Sequence, residues 1–103
     1  MKVKLCDTAD INEGEMIQAR VKDKAPFAVF HVEGEFFVTD DTCTHGKASL
    51  ADEGDLNGHC ITCTWHDGQF DIRTGEALAA PCTQPIKAYP VKIEENAVWI
   101  DLE

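Results

Sequence analysis

The apolar positions of this chain fall in short runs separated by turn residues, a pattern of strands rather than helices. Phe27, Val29 and His31 alternate with Ala28, Phe30 and Val32 in a run that is apolar at nearly every position. Glu33-Gly34 follows, then Glu35-Phe36-Phe37-Val38-Thr39, so this segment predicts a hairpin. The last part of the chain repeats the arrangement with Tyr89 to Ile93, a turn at Glu94-Glu95-Asn96, and Ala97 to Leu102. Shorter strands are expected at Val3-Lys4-Leu5, at Glu15 to Val21 after the Asn12-Glu13-Gly14 turn, and at Gln69 to Ile72 before Thr74-Gly75. Asp55-Leu56 and His59 to Thr62 flank Asn57-Gly58, a strong short-range hairpin signal.

No stretch sustains a helical period, although one helical turn fits Lys47 to Ala51. Pro81, Pro85 and Pro90 make the segment from Ala79 to Pro90 mostly loop. Many short strands with frequent turns predict an all-β sandwich or small barrel. There is no repeat, low-complexity segment or linker, so residues 1–103 read as a single domain. Phe30, Ile100 and Trp99 are expected in the core. The acidic pairs Asp40-Asp41, Asp52-Glu53 and Glu94-Glu95 are expected in solvated turns, and those near a ligand loop could steer docking.

Composition narrows the function classes. At 44% hydrophobic and 27% charged, the chain resembles a folded domain rather than a disordered tail. A net charge of −10 with only nine Lys and Arg argues against a phosphate-neutralising nucleic-acid surface. That charge serves solubility and could also steer basic partners. No apolar run is long enough to span a membrane, and Met1 to Asp10 do not read as a secretory signal. A cytoplasmic location is expected. Five cysteines, Cys6, Cys43, Cys60, Cys63 and Cys82, cannot all pair within one molecule. In a reducing compartment metal binding then outranks a disulfide framework.

Four of the relevant side chains form one constellation. Cys43-Thr44-His45 is followed, after seventeen residues, by Cys63-Thr64-Trp65-His66. Each half offers one thiolate and one imidazole, with Gly46 and Gly68 close behind. Glycine beside a ligand lets the backbone curve tightly and approach a metal closely. The hairpin between the halves could bring the two loops face to face. Such a donor set suits either tetrahedral zinc or a mixed-ligand [2Fe–2S] cluster. Zinc modules usually pair like with like, whereas here both pairs are mixed.

With these residues the sequence resembles Rieske ferredoxins, in particular those of bacterial aromatic-ring-hydroxylating dioxygenases of the naphthalene type. Cys43-Thr44-His45-Gly46 is similar to their first ligand loop and Cys63-Thr64-Trp65-His66 to their second. Ala80-Pro81-Cys82-Thr83-Gln84 and Tyr89-Pro90-Val91-Lys92-Ile93-Glu94 extend the likeness over most of the chain. The resemblance implies a Rieske-type β-sandwich with a small cluster-binding subdomain at approximately residues 41–81. It implies one [2Fe–2S] cluster, with Cys43 and Cys63 on one iron and His45 and His66 on the other. It also implies a carrier that takes single electrons from a flavin-containing ferredoxin reductase and gives them to a terminal ring-hydroxylating oxygenase. A monomer is expected.

The ligand set has an electrostatic consequence. Two thiolates leave the oxidised centre formally neutral, whereas four would leave it doubly negative. A neutral centre accepts an electron more readily, giving roughly −150 to +300 mV for Rieske centres against about −400 mV for plant-type ferredoxins. Respiratory Rieske proteins add a loop disulfide, and Ser and Tyr hydroxyls against the sulfurs. The matching positions here are Ala48 and Trp65, and Gly68 and Phe70. Without those donors the low end is expected, about −150 mV. In the family the imidazole edges face outward, so His45 and His66 would form the docking tip, and the potential would fall as pH rises.

The remaining candidates have plainer readings. Cys60, Cys6 and Cys82 fit buried apolar roles, although the Pro81 loop resembles one that covers the cluster. His31 and His59 are not expected to bind metal. Trp65 could shield the cluster or simply fill its loop. The chain has no second ligand set for a mononuclear iron and no dinucleotide fingerprint, so it reads as a carrier and not an enzyme. Two other readings stay open: a zinc-stabilised interaction module, and a Rieske-like small subunit of a nitrite reductase-type enzyme.

Overall fold

The computed structural model describes residues 2–42, 49–63, 68–79 and 85–102. Their strands form three antiparallel sheets. The first orders β1 (Lys2–Asp7), β11 (Ala97–Asp101) and β10 (Val91–Glu94). The second orders β2 (Met16–Ala19), β3 (Phe27–Val32), β4 (Glu35–Asp40) and β9 (Ala88–Tyr89). The third orders β5 (Gly54–Asn57), β6 (Cys60–Cys63), β7 (Gly68–Asp71) and β8 (Ala77–Ala79). One helical turn, α1 (Leu50–Glu53), joins the second sheet to the third. Among the described residues no helix is long and apolar enough to cross a membrane.

The unbroken apolar run of β3 explains the layering. Successive side chains of a strand point to opposite faces, and here both faces are buried. Phe27 and Val29 pack with Cys6, Val98 and Ile100 from the first sheet. Ala28, Phe30 and Val32 pack with Leu50, Ile61, Phe70 and Ile72 below the third. The second sheet is therefore the shared wall between two cores. The third sheet is an insertion: β4 pairs with β9 (Val38↔Tyr89, Thr39↔Ala88), and the whole of β5–β8 lies between them in sequence.

The hairpins are set by their turn residues. Val32 pairs with Glu35 around Glu33 and Gly34, whose φ values are 54° and 78°. Glu94 pairs with Ala97 around Glu95 and Asn96, at φ 53° and 60°. Two central residues at positive φ define the turn that matches strand twist. The Glu33-Gly34 turn is held from outside, because the Glu13 carboxylate accepts both of its N–H groups at 2.7 Å.

Three expectations need correction, and one strand was not anticipated. The helical turn begins at Leu50, because Ser49 caps it by accepting the Asp52 N–H; positions 47 and 48 lie outside the described residues. A further strand, β8, follows the Thr74-Gly75 turn, because Glu76 is drawn back to β7 by the Asp71 N–H. Trp99 is only half-buried. Its neighbours Val98 and Ile100 take the inward face of β11, which leaves the indole outside under the Lys2 ammonium, 5.1 Å from the ring. Asp41 is fully buried rather than solvated.

Candidate metal centre

Of the expected ligands, Cys43, His45 and His66 lie outside the described residues, as do Gly46, Ala48, Trp65 and Cys82. Cys63 is described, at the last position of β6 and with no exposed surface. The structure places the base of each expected ligand loop. Thr42 pairs with Ser49, so residues 43–48 leave from and return to one bridge. Cys63 pairs with Gly68, so residues 64–67 leave from and return to another.

The two bases are tied together by α1. The helix starts directly after Ser49, and its C-cap, Gly54, is the register partner of Cys63. One turn of helix amounts to about 6 Å of rise. Along the chain, one helical turn thus separates Ser49 of the first base from Gly54, the strand neighbour of Cys63 in the second. Gly54 is required at that junction: a Cβ there would stand 2.3 Å from the Leu50 carbonyl oxygen and 2.7 Å from Ile61 Cδ1.

Beneath Cys63 the surroundings are dry. Leu50, Ile61 and Phe70 have no exposed surface and share its core. The hairpin leading to Cys63 turns through Gly58-His59, with Gly58 at φ 61°, as the first position of a type II′ turn requires. The Asn57-Gly58 signal therefore located the hairpin one residue early.

The histidines outside the motif are occupied elsewhere. His31 Nδ1 lies 3.0 Å from the Ile11 carbonyl oxygen, and its ring stacks on Phe36 at 4.2 Å. His59 sits edge-on to Phe37 at the closed end of the β5–β6 hairpin. Cys63 ends the same hairpin's open side, a strand length of roughly 13 Å away. Cys6 is buried as expected, whereas Cys60 is only half-buried because β6 points Ile61 and Cys63 inward instead. Near His59, the Arg73 guanidinium beside Asp71 holds that carboxyl below its ordinary range.

Sequence reading missed the polar residues that brace the first loop. The Asp41 carboxylate accepts hydrogen bonds from Gln18 Nε2 at 2.7 Å, Ser49 Oγ at 2.5 Å and the Ala51 N–H at 2.8 Å. Ser49 was findable, because Ser three residues before Asp52 is a helix N-cap signature. An Asp-Asp doublet gives no sign of which member turns inward.

A mostly β chain with a buried thiol at the base of one expected ligand loop, tied through one helical turn to the base of the other, fits an iron–sulfur protein with two ligand loops. Two thiolates and two imidazoles are the donor set that a mixed-ligand [2Fe–2S] cluster takes. Comparison with known proteins makes this specific. Residues 1–90 match the Rieske [2Fe–2S] domain, and the chain belongs to that family. It is 51% identical over 94 residues to the ferredoxin component of a naphthalene 1,2-dioxygenase system of Pseudomonas putida, covering 91% of this chain and 88% of the relative. The Sphingomonas yanoikuyae B1 ferredoxin superposes with a TM-score of 0.94 at 47% identity, each chain covered completely. The ferredoxin in a complex of reduced oxygenase and oxidised ferredoxin of carbazole 1,9a-dioxygenase superposes with a TM-score of 0.90 at 38% identity, covering 99% of this chain and 97% of that one. The family's cofactor is the [2Fe–2S] cluster, so the zinc reading falls away.

Proposed function

We propose that this chain carries single electrons from a flavin-containing reductase to a terminal aromatic-ring-hydroxylating oxygenase. Cys43 and Cys63 would hold one iron of the cluster, and His45 and His66 the other. The observation that carries the ligand assignment is the pair of braced loop bases, Thr42↔Ser49 and Cys63↔Gly68, joined by one helical turn. We assign residues 41–81 as the cluster-bearing unit, because the sheet of β5–β8 is built entirely within them. The oxygenase as electron acceptor is supported by the similarity to a ferredoxin in complex with its oxygenase. The reductase as electron donor is supported by the similarity to a ferredoxin component of a dioxygenase system.

When bound, the cluster supplies a centre that accepts and returns one electron. The chain's own residues shape its setting. Leu50, Ile61 and Phe70 exclude water beneath Cys63. Asp52, Glu53 and Asp55 are exposed on α1 and β5, beside both loop bases. Their charge would steer a basic partner surface toward this end of the molecule.

The test is an absorption and EPR spectrum of anaerobically purified protein before and after dithionite. A red-brown protein with an anisotropic, low-average-g signal on reduction is expected. Cys43→Ser, His45→Ala, Cys63→Ser and His66→Ala should each abolish it, whereas Cys60→Ser and Cys82→Ser should keep it. A colourless, EPR-silent protein with stoichiometric zinc would overturn the proposal.

A further inference from the structure

The doublet Asp40-Asp41 stands where the chain leaves the second sheet for the inserted one, and its two members do different work. Asp40 ties the return strand: its N–H donates to the Lys87 carbonyl, and its carboxylate accepts from Tyr89. Asp41 turns inward and has no exposed surface. Its N–H donates to the Pro26 carbonyl at 3.2 Å, and its own carbonyl accepts the Leu50 N–H at 2.7 Å. Among the described residues it is the only buried acidic or basic side chain.

Withdrawing a carboxylate from water carries a desolvation cost that only well-placed hydrogen bonds offset. Here the three donors are neutral and come from three segments: Gln18 of β2, Ser49 ahead of α1, and the backbone of Ala51 within α1. Ser49 is itself engaged twice more, by the Gln18 amide at 3.3 Å and by the Asp52 N–H. Asp41 precedes Cys43 by two residues, and Ser49 directly follows the loop 43–48. The Ser49-to-Asp41 hydrogen bond therefore spans the mouth of that loop.

We propose that Asp41 is a positioning residue for the cluster. Through Gln18, Ser49 and Ala51 it fixes the separation of the two ends of loop 43–48, and with them the placement of Cys43 and His45. The inference rests on the ligand assignment above.

The test uses holo-protein of wild type, Asp41→Asn, Asp41→Ala, Ser49→Ala and, as a matched destabilising control in the other core, Val98→Ala. Three quantities are read: the EPR spectrum of the reduced protein, the rate of cluster loss to an iron chelator, and the thermal midpoint. Both Asp41 variants should lose cluster roughly tenfold faster and show broadened or shifted g-features; Ser49→Ala should follow in the same direction at about threefold. Val98→Ala should lower the thermal midpoint while keeping the wild-type EPR spectrum. The proposal is overturned if Asp41→Asn and Ser49→Ala keep that spectrum and lose cluster no faster than Val98→Ala. Should the Asp41 variants not fold, Ser49→Ala decides alone. A wild type lacking the mixed-ligand signal would overturn the ligand assignment first, and this proposal with it.

Discussion

The Tyr89 hydroxyl donates a 2.6 Å hydrogen bond to Asp40 Oδ1, which joins the edge strand β9 to the end of β4. The ring sits edge-on to Phe27 at 5.2 Å. Burial first, and the Asp40 carboxylate second, push its ionisation above the ordinary tyrosine range. The folded state thus holds the phenolic proton more tightly than the unfolded chain does. The stabilisation is complete below about pH 10 and is lost as pH rises beyond that. Tyr89 is the chain's single tyrosine, so phenolate absorbance reports it directly. We expect the native protein to develop that absorbance only well above pH 10. Tyr89→Phe should cost about 1 kcal/mol at neutral pH and flatten the alkaline fall in thermal midpoint. An ordinary phenolate titration near pH 10 in folded protein would contradict this account.

Gly75 and Gly14 both sit at positive φ, 82° and 83°, but in different surroundings. A Cβ on Gly75 would stand 1.9 Å from the Ile86 carbonyl oxygen, whereas one on Gly14 would meet nothing within 4 Å. Gly75 also accepts the Ile86 N–H, which brings the chain back toward β9. Gly14→Ala should cost only the left-handed backbone strain, about 1–2 kcal/mol. Gly75→Ala adds a backbone collision and should cost upwards of about 3 kcal/mol. Denaturant titration of the two variants measures the difference, and equal losses would refute the steric argument.

The strands were legible where one residue type decides the geometry. Glu33-Gly34 and the turn before Ala97 marked hairpins, and the apolar run of β3 marked a strand, whose burial on both faces only the packing shows. The C-x-H and C-x2-H pairs stand out in the sequence because both are mixed, and of their four residues only Cys63 lies among the described ones. What could not be read depends on tertiary partners. Trp99 is among the most apolar residues by type, yet register gives the inward face to Val98 and Ile100. Asp41 and Asp40 are identical in type and adjacent, and only the arrival of Gln18 and Ser49 from elsewhere makes one of them an interior residue. The short strands β8 and β9, three and two residues long, are too short to show a pattern and exist because β7 and β4 offer them an edge.

Cys6 has the chemistry of a silent thiol. It lies in β1 facing the core shared with Val98 and Ile100. Burial, aided by the nearby Asp10 and Asp7 carboxylates, pushes its thiol pKa up to about 11. Because the thiolate is the reactive form, alkylation should be slowed by roughly a hundredfold relative to a thiol of ordinary pKa. Mass spectrometry after brief iodoacetamide treatment of folded holo-protein at pH 8 should find Cys6 unmodified, with labelling only on unfolding. Rapid labelling in the folded state would mean that β1 opens far more often than its pairing with β11 suggests.

The reduction potential should lie at the low end of the Rieske range because of two residues next to Cys63. Gly68, its register partner, carries no side chain, and Phe70, fully buried two residues on, carries no polar atom. Neither has a side chain that can donate a hydrogen bond to a cluster sulfur, and the core around Phe70 offers only Leu50, Ile61 and other apolar groups. A donor to sulfur favours the more negative reduced form, so its absence lowers the potential. We expect a midpoint of about −150 mV by redox titration at neutral pH. Phe70→Tyr tests the cause. If the added hydroxyl reaches a cluster sulfur, the midpoint rises, while an apolar core forced to accept a phenol loses about 1–3 kcal/mol of stability. A wild-type midpoint above zero would contradict the assignment of a donor-poor site, and a Phe70→Tyr variant with lowered stability but an unchanged midpoint would show that position 70 does not set the potential.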